Sequence, residues 1–437
     1  MKPSPFRRNA RYALVTATLA GTALMSAVPA QAGGISLYEV GTTDVGLASA
    51  GYTARAQDAS TVFTNPAGMT RLEGSQLTLG AQMLYGDLGF SIGAGTSPEL
   101  GSNTGGNPVG WFPGGGMFYS YSVSPDLKLG FAATGNFGLA QKYDAGWVGR
   151  YHVQESTLLG MSLLPSVAYR INPQVSVGAS LNAMYGIFKT VVAVNNIVGA
   201  DGQLKVDNRK WGFGGNLGVM YEPSATTRFG LTYTSQVKLG FSAPAEFSGI
   251  SPGLEALLKA RGLFNSTLDV GVNVPQGVNG SFYTALDDRW AVLGSVGWQQ
   301  WSRFGEVRIS VDASNPINLT TALDFKDTWH VAAGAQYRMS GPWLLNAGIA
   351  YDSSLQDTAN ISPSLPSGAQ WRFGVGAQKE ESKTFNWGVS AEYVYGGTLD
   401  TSVKSLVPVA AGGRGDLIGS FNNTNMIFLA ANFNWKF

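Results

Sequence analysis

The 437-residue chain has no cysteine, only two histidines (His152 and His330) and 13% charged residues. Without cysteine there can be no disulfide framework and no thiolate metal site. Two histidines far apart in sequence match no metal-ligand spacing, so no metal and no cofactor is expected. Formal net charge is +1, so no basic excess points to nucleic acid. No apolar run of about 18 residues follows position 32, which excludes a helical membrane bundle. What is plentiful is glycine, at 58 residues, and aromatics, at 11%. Low charge with abundant glycine and aromatics fits a transmembrane β-barrel better than a soluble secreted enzyme. On composition alone a soluble β-sandwich array or β-helix is the alternative.

The N-terminus reads as an address. Lys2, Arg7, Arg8 and Arg11 precede an apolar stretch from Tyr12 to Val28, and Ala30-Gln31-Ala32 has the small-x-small form of a cleavage site. Residues 1–32 are therefore expected to be a secretory signal peptide, with the mature chain starting at Gly33.

Beyond residue 72 the dominant period is two, as a barrel strand requires when lipid-facing and lumen-facing side chains alternate. Val175, Val177, Ala179, Leu181, Ala183, Tyr185 and Ile187 alternate with Ser176, Gly178, Ser180, Asn182, Met184 and Gly186. The last stretch alternates Ile427, Leu429, Ala431, Phe433, Trp435 and Phe437 with Ala430, Asn432, Asn434 and Lys436. The outer face stays apolar for about ten residues, enough for a tilted strand to cross a bilayer. Tyr169, Tyr221, Trp290, Trp343, Tyr351 and Trp435 stand at the ends of such faces, as in an interfacial girdle. Fourteen runs are predicted, at 76–85, 116–123, 127–138, 157–171, 175–194, 209–222, 228–239, 266–284, 290–311, 322–339, 343–355, 368–379, 385–401 and 423–437. Short connections alternate strictly with long ones (86–115, 139–156, 195–208, 240–265, 312–321, 356–367 and 402–422). The expected fold is all-β: a 14-stranded antiparallel transmembrane β-barrel over 73–437, with periplasmic termini, in a bacterial outer membrane.

Residues 33–72 behave differently. Gly33–Arg71 is rich in small residues and has neither period, which predicts an N-terminal hatch (plug) folded into the lumen. Asn65-Pro66-Ala67 is its sharpest feature, because Pro66 fixes its own φ and pushes Asn65 towards an extended conformation. An ordinary loop turn is the plainer reading.

Several motifs together carry a resemblance. They are Asn65-Pro66-Ala67, the run from Gly130-Phe131 to Gly138-Leu139, Gly146-Trp147-Val148-Gly149-Arg150-Tyr151, Leu164-Pro165-Ser166-Val167-Ala168-Tyr169, Trp298-Gln299-Gln300-Trp301-Ser302 and the terminal Phe437. With them the whole mature chain resembles the FadL-type outer-membrane transporters of long-chain fatty acids and other hydrophobic compounds. The resemblance implies a fourteen-stranded barrel with a hatch, ligand capture by external loops, an internal pocket and sideways exit at a kink in the third strand. It implies that Asn65, Pro66 and Ala67 face that kink, placed at Thr134, Gly135, Asn136, Phe137 and Gly138; without the family, those glycines simply fit a crowded interior. In 240–265, Leu254, Leu257, Leu258 and, a half-turn on, Arg261 share a helical face, with Phe264 close behind. The resemblance makes this part of an external greasy groove, joined by Trp111 and Phe112; a capping helix packed on neighbouring loops is the plainer account. Arg150, Arg372 and Lys189, with Lys238, are candidate partners for a ligand carboxylate, although none matches a family motif.

The expected partners are a hydrophobic small molecule, outer-membrane lipid and lipopolysaccharide, and the barrel-assembly machinery through the C-terminal strand ending in Phe437; the chain is expected to be a monomer. No enzyme is expected: His152 is the one candidate base, and His330 reads as a lumen-lining polar residue. Gly212, Gly214 and Gly218 lie in a strand with no following helix, which rules out a nucleotide fingerprint. Arg414-Gly415-Asp416 reads as a chance tripeptide. The rival functions are an aromatic hydrocarbon channel of the same family, a general porin and an adhesive surface protein.

Overall fold

A computed structural model describes residues 37–304, 308–312, 318–320, 325–357 and 361–437. The expected signal peptide lies outside the described residues. The strands, in chain order, are β1 (Gln76–Ile92), β2 (Gly110–Ser122), β3 (Leu127–Lys142), β4 (Glu155–Asn172), β5 (Val175–Val194), β6 (Gly202–Tyr221), β7 (Thr227–Thr234), β8 (Val237–Pro244), β9 (Glu246–Ser248) and β10 (Thr267–Val274). They continue as β11 (Gly277–Ala285), β12 (Trp290–Gln299), β13 (Arg308–Asp312), β14 (Asn318–Thr320), β15 (Thr328–Arg338), β16 (Trp343–Asp352), β17 (Gln370–Ser382), β18 (Phe385–Tyr395), β19 (Leu399–Val403) and β20 (Leu417–Lys436). Fourteen of them, β1–β7, β11, β12, β15–β18 and β20, form one antiparallel ladder that closes where β1 pairs with β20. β9 and β19 add short outer pairings.

The alternation sets which face meets what. Along β6, Trp211, Phe213, Leu217, Val219 and Tyr221 project from the outer face, while Gly212, Asn216, Gly218 and Met220 are buried inside. Trp211 and Tyr221 bracket about ten residues, the reach of one tilted crossing. Trp111, Trp329 and Trp371 continue the upper aromatic belt, and Tyr169 and Trp290 the lower one; all five are exposed on the wall.

Strand boundaries differ from the sequence reading in two ways. First, β1 runs on to Ile92 and β2 begins at Gly110, because Pro113-Gly114-Gly115-Gly116 pairs in register with Gly80–Met83 instead of turning. Second, runs read as single strands are broken. The alternation of 228–239 crosses from β7 to β8 at Ser235-Gln236, that of 266–284 from β10 to β11 at Pro275-Gln276, and that of 385–401 from β18 to β19. β8, β10, β13 and β14 form a separate four-stranded sheet. It leans inside the barrel, where Val237 and Leu239 cover Gly212 and Leu239 covers Gly186.

Among the described residues the ladder of the wall is interrupted at β2–β3 and at β6–β7. β2 pairs with β3 only from Gly116↔Thr134 to Ser122↔Lys128, so Gly135–Lys142 has no β2 ladder until Lys142 N–H donates to Pro108 O at 2.8 Å. β6 pairs with β7 only from Asn216↔Thr234 to Tyr221↔Phe229, and with β9 only at 203–205. Above the barrel, Trp147 is fully buried, stacked on Tyr143 at 3.9 Å, and donates from Nε1 to Val153 O at 2.6 Å. The Gly146–Tyr151 motif is therefore part of an outer apolar core with Phe90, Leu417 and Phe421.

Candidate functional site

From Leu37 to Leu72 the chain lies inside the lumen as α1 (Thr42–Gly46), α2 (Thr61–Thr64) and a 3-10 turn over Pro66–Arg71. Glycines on the wall allow this fit. Any Cβ at Gly348 or Gly374 would collide with the backbone of Val45–Ala48, and one at Gly178 with Pro66 and Ala67. Within the hatch, Asp44 and Arg55 form a buried pair at 2.7 Å. At the lower end cations from the wall hold hatch carbonyls: Lys128 Nζ donates to Leu72 O at 2.9 Å and Arg228 Nε to Ala54 O at 2.6 Å.

Asn65 is the cap of the 3-10 turn, its Oδ1 accepting from Ala67 N–H at 3.1 Å. Its Nδ2 donates to Thr53 O at 2.7 Å and to Val219 O at 3.1 Å. Asn65-Pro66-Ala67 thus seats against β5 and β6, at Gly178 and Gly218, and not against the third strand as the resemblance implied. The tripeptide turns the hatch where two wall glycines leave room. At the third strand, the β3–β4 register slips between Gly135 and Phe137, leaving Asn136 as the extra residue. The hatch residue that touches this slip is Leu37, whose N–H donates to Asn136 O at 3.2 Å.

Two cavities flank the start of the hatch, and Leu37 and Tyr38 line both. The first lies between Phe63, Thr64, Asn136, Phe137, Asn182, Met184, Asn216, Val237 and Val274, and among the described residues no charged side chain lines it. It touches both wall breaks, through Asn136 at one and Asn216, Thr234 and Ser235 at the other. The second combines Trp301, Leu355, Met426 and Phe428 with His330, Asp352 and Arg372. Here Arg372 is buried among three carboxylates: Glu392 at 3.0 Å, Asp352, and Glu39 of the hatch. His330 Nδ1 lies 2.6 Å from Asp352 Oδ1, and Tyr38 stacks on its ring at 4.1 Å.

Of the candidate carboxylate partners, Arg372 lines the second of these two cavities and the others line neither. Arg150 is held in the outer loops by Asp201 at 2.8 Å and Leu100 O at 2.9 Å, and Lys189 pairs with Glu155 at 2.5 Å. Lys238 lies on the exposed side of β8. The loop helix forms as α3 (Pro252–Ala260), started by Ser251 and Pro252. Leu257 is exposed, Leu254 and Leu258 half-buried, and Phe264 stacks on Phe247 at 5.9 Å. Trp111 and Phe112 do not join it. They lie in β2, with Trp111 54% exposed on the lipid face beside Tyr85 and Phe112 packed inward against the cluster of Leu84, Met426 and Phe428. Composition hid this, because the glycine run after Phe112 resembles a loop.

His152 is mostly buried in the outer loops, and burial followed by the nearby Arg414 pushes its pKa down to about 4. The unfolded loop takes up a proton near pH 6.5 whereas the packed loop does not, so packing is strongest above 6.5 and weakens as pH falls towards 4. Hydrogen exchange over Trp147–Val153, corrected for intrinsic rate, should show opening that rises by up to about tenfold per pH unit across that window. The His152→Gln protein should lose this slope.

A bore filled by a hatch, interior cavities beside it and a closed fourteen-strand wall with aromatic belts define a plugged β-barrel of the outer-membrane type. The chain belongs to the outer membrane protein transport protein family (OMPP1/FadL/TodX), whose model matches residues 23–437. It is 27% identical to the long-chain fatty acid transport protein of Escherichia coli K12, across 86% of this chain and 91% of that protein. It is 30% identical to a 47 kDa outer membrane protein of Pasteurella multocida, across 84% and 89%. Among solved structures, a Pseudomonas aeruginosa FadL homologue superposes with a TM-score of 0.83 at 18% identity, across 92% of this chain and all of that one. The Pseudomonas putida toluene transporter TodX gives 0.66 at 16% identity, across 90% and 99%. The protein is an outer-membrane transport protein, and its relatives include proteins named for the transport of long-chain fatty acids and of toluene.

Proposed function

We propose that the chain takes up hydrophobic small molecules, long-chain fatty acids among them, by capture at the outer loops, binding inside the barrel and lateral exit through the wall. The observation that carries this reading is that Asn136 and Phe137 stand at the β2–β3 break and also line an interior cavity, with Leu37 of the hatch bonded to Asn136. A solute leaving there passes from protein to lipid without re-entering water, which would cost about 0.8 kcal/mol per CH₂. The leucines of α3 are the capture surface. A fatty-acid carboxylate would find Arg372 beside Met426 and Phe428, and would have to take it from Glu39, which couples loading to the hatch. No covalent step is involved. The terminal strand ending in the exposed Phe437 serves recognition by the assembly machinery.

Uptake of a neutral aromatic hydrocarbon is the second reading, favoured by the cavity with no charged lining. A general porin is disfavoured because the hatch occupies the bore. In cells lacking their own transporter, the wild-type chain should support saturable oleate uptake. The L254S/L257S/L258S protein should need about tenfold more oleate for half-maximal rate, with maximal rate retained. Steady ion conductance from the purified protein, without saturable uptake, would refute the reading.

A further inference from the structure

A layer of side chains stands between the two cavities. Leu37, Tyr38 and Gln299 line both, while Phe137 lines the first and Trp301 the second. The rings of Phe137 and Trp301 stack, with centroids 6.2 Å apart and planes inclined by 16°. Both residues are almost fully buried, at 3% and 2% exposure, so the layer is shut. Leu37 and Tyr38 belong to the hatch, whereas Trp301 belongs to the wall, in a 3-10 turn over Trp301–Arg303 just after β12. Its Nε1 donates to Gln299 Oε1 at 2.8 Å, and Phe304 meets its ring edge-on at 5.1 Å. Gln300 fastens the turn to the chain before β11: its N–H donates to Gln276 O at 2.9 Å and its Oε1 accepts from Gln276 Nε2 at 2.7 Å. The Gln299-Gln300-Trp301 part of the sequence motif thus holds one indole over Phe137.

The two sides of this layer differ in chemistry. Arg372 and His330 lie on the Trp301 side, and Asn136, at the β2–β3 break, lies on the Phe137 side. A solute whose carboxylate rests at Arg372 must send its chain across the layer to reach the break. Movement of the hatch alone leaves the Trp301 half in place. We propose that Trp301 is the specificity-determining residue for this passage, a gate whose indole turns off Phe137 to admit a slender acyl chain and excludes a broad rigid ring. Side-chain rotation between staggered wells is enough to move an indole, and the stack on Phe137 favours the shut position. The inference rests on the reading that the barrel carries hydrophobic compounds to the β2–β3 break, and adds which shapes are let through.

The test is uptake, by cells lacking their own transporter, of oleate and of a straight-chain fatty acid of similar length ending in pyrene. Heat-resistant migration on gels shows which variants have folded. Cells with the wild-type chain should take up oleate about tenfold faster than the pyrene acid. W301A should raise uptake of the pyrene acid about tenfold and leave oleate within about threefold. W301F keeps a ring against Phe137 and should stay within about threefold of the wild-type ratio. If W301A does not fold, W301L takes its place. Equal wild-type uptake of the two acids, or a folded variant in which pyrene uptake is unmoved or both acids fall together, would overturn the gate. Saturable oleate uptake with an unmoved ratio sinks this inference alone; absence of oleate uptake from the wild-type protein sinks the uptake reading with it.

Discussion

Replacing Arg372 with methionine should release the hatch from a barrel that stays closed. Arg372 is the cation shared by Glu39, Asp352 and Glu392, and it and both glutamates are almost wholly buried. Removing one partner of a buried ion pair costs about 3–5 kcal/mol, because the charges left behind have neither water nor a counter-ion. Asp352 and Glu392 sit on strands held by full ladders to their neighbours, whereas Glu39 belongs to a short segment. The relief with least disruption is therefore withdrawal of Glu39 and the residues around it. Limited trypsin treatment should then cut at Arg55, which is buried in the wild-type protein, while the barrel keeps its heat-resistant migration on gels. Removing two of the three carboxylates left behind, by adding Glu39→Gln and Glu392→Gln to Arg372→Met, should recover much of the protection, as coupled neighbours do. Unchanged protection in Arg372→Met would show that the cluster does not hold the hatch.

The barrel was legible because its strands repeat one instruction: alternate, stay apolar outside for about ten residues, then turn. The unpatterned Gly33–Arg71 segment was legible as something other than wall. The breaks were not, since the alternation of Phe229, Leu231 and Tyr233 continues into Val237 and Leu239 although the chain has left the wall between them. What changes is the surface those side chains meet, lipid for the first three and the inner faces of β5 and β6 for the last two, and both are apolar. Pro113–Gly116 misled in the opposite sense, because small residues suit a turn and a crowded ladder equally. The placement of Asn65-Pro66-Ala67 depended on Gly178 and Gly218, more than a hundred residues away. Arg372 could be named as a cation, but its burden of three carboxylates needs the hatch and two other strands brought together.

The central claim is that the beginning of the hatch must leave Asn136 for a solute to pass through the β2–β3 break. Leu37 and Asn136 are joined backbone to backbone at 3.2 Å, a contact close enough for an engineered disulfide to bridge the two positions. Because the chain has no cysteine, L37C/N136C introduces one possible bridge, and export favours its formation. The measurement is oleate uptake by cells carrying this protein, oxidised and then reduced, beside the single variant L37C. Oxidation should cut uptake at least tenfold, reductant should restore it, and L37C should respond to neither. If the bridged protein takes up oleate as fast as its reduced form, the hatch need not move from the third strand, and the lateral route at Asn136 is wrong.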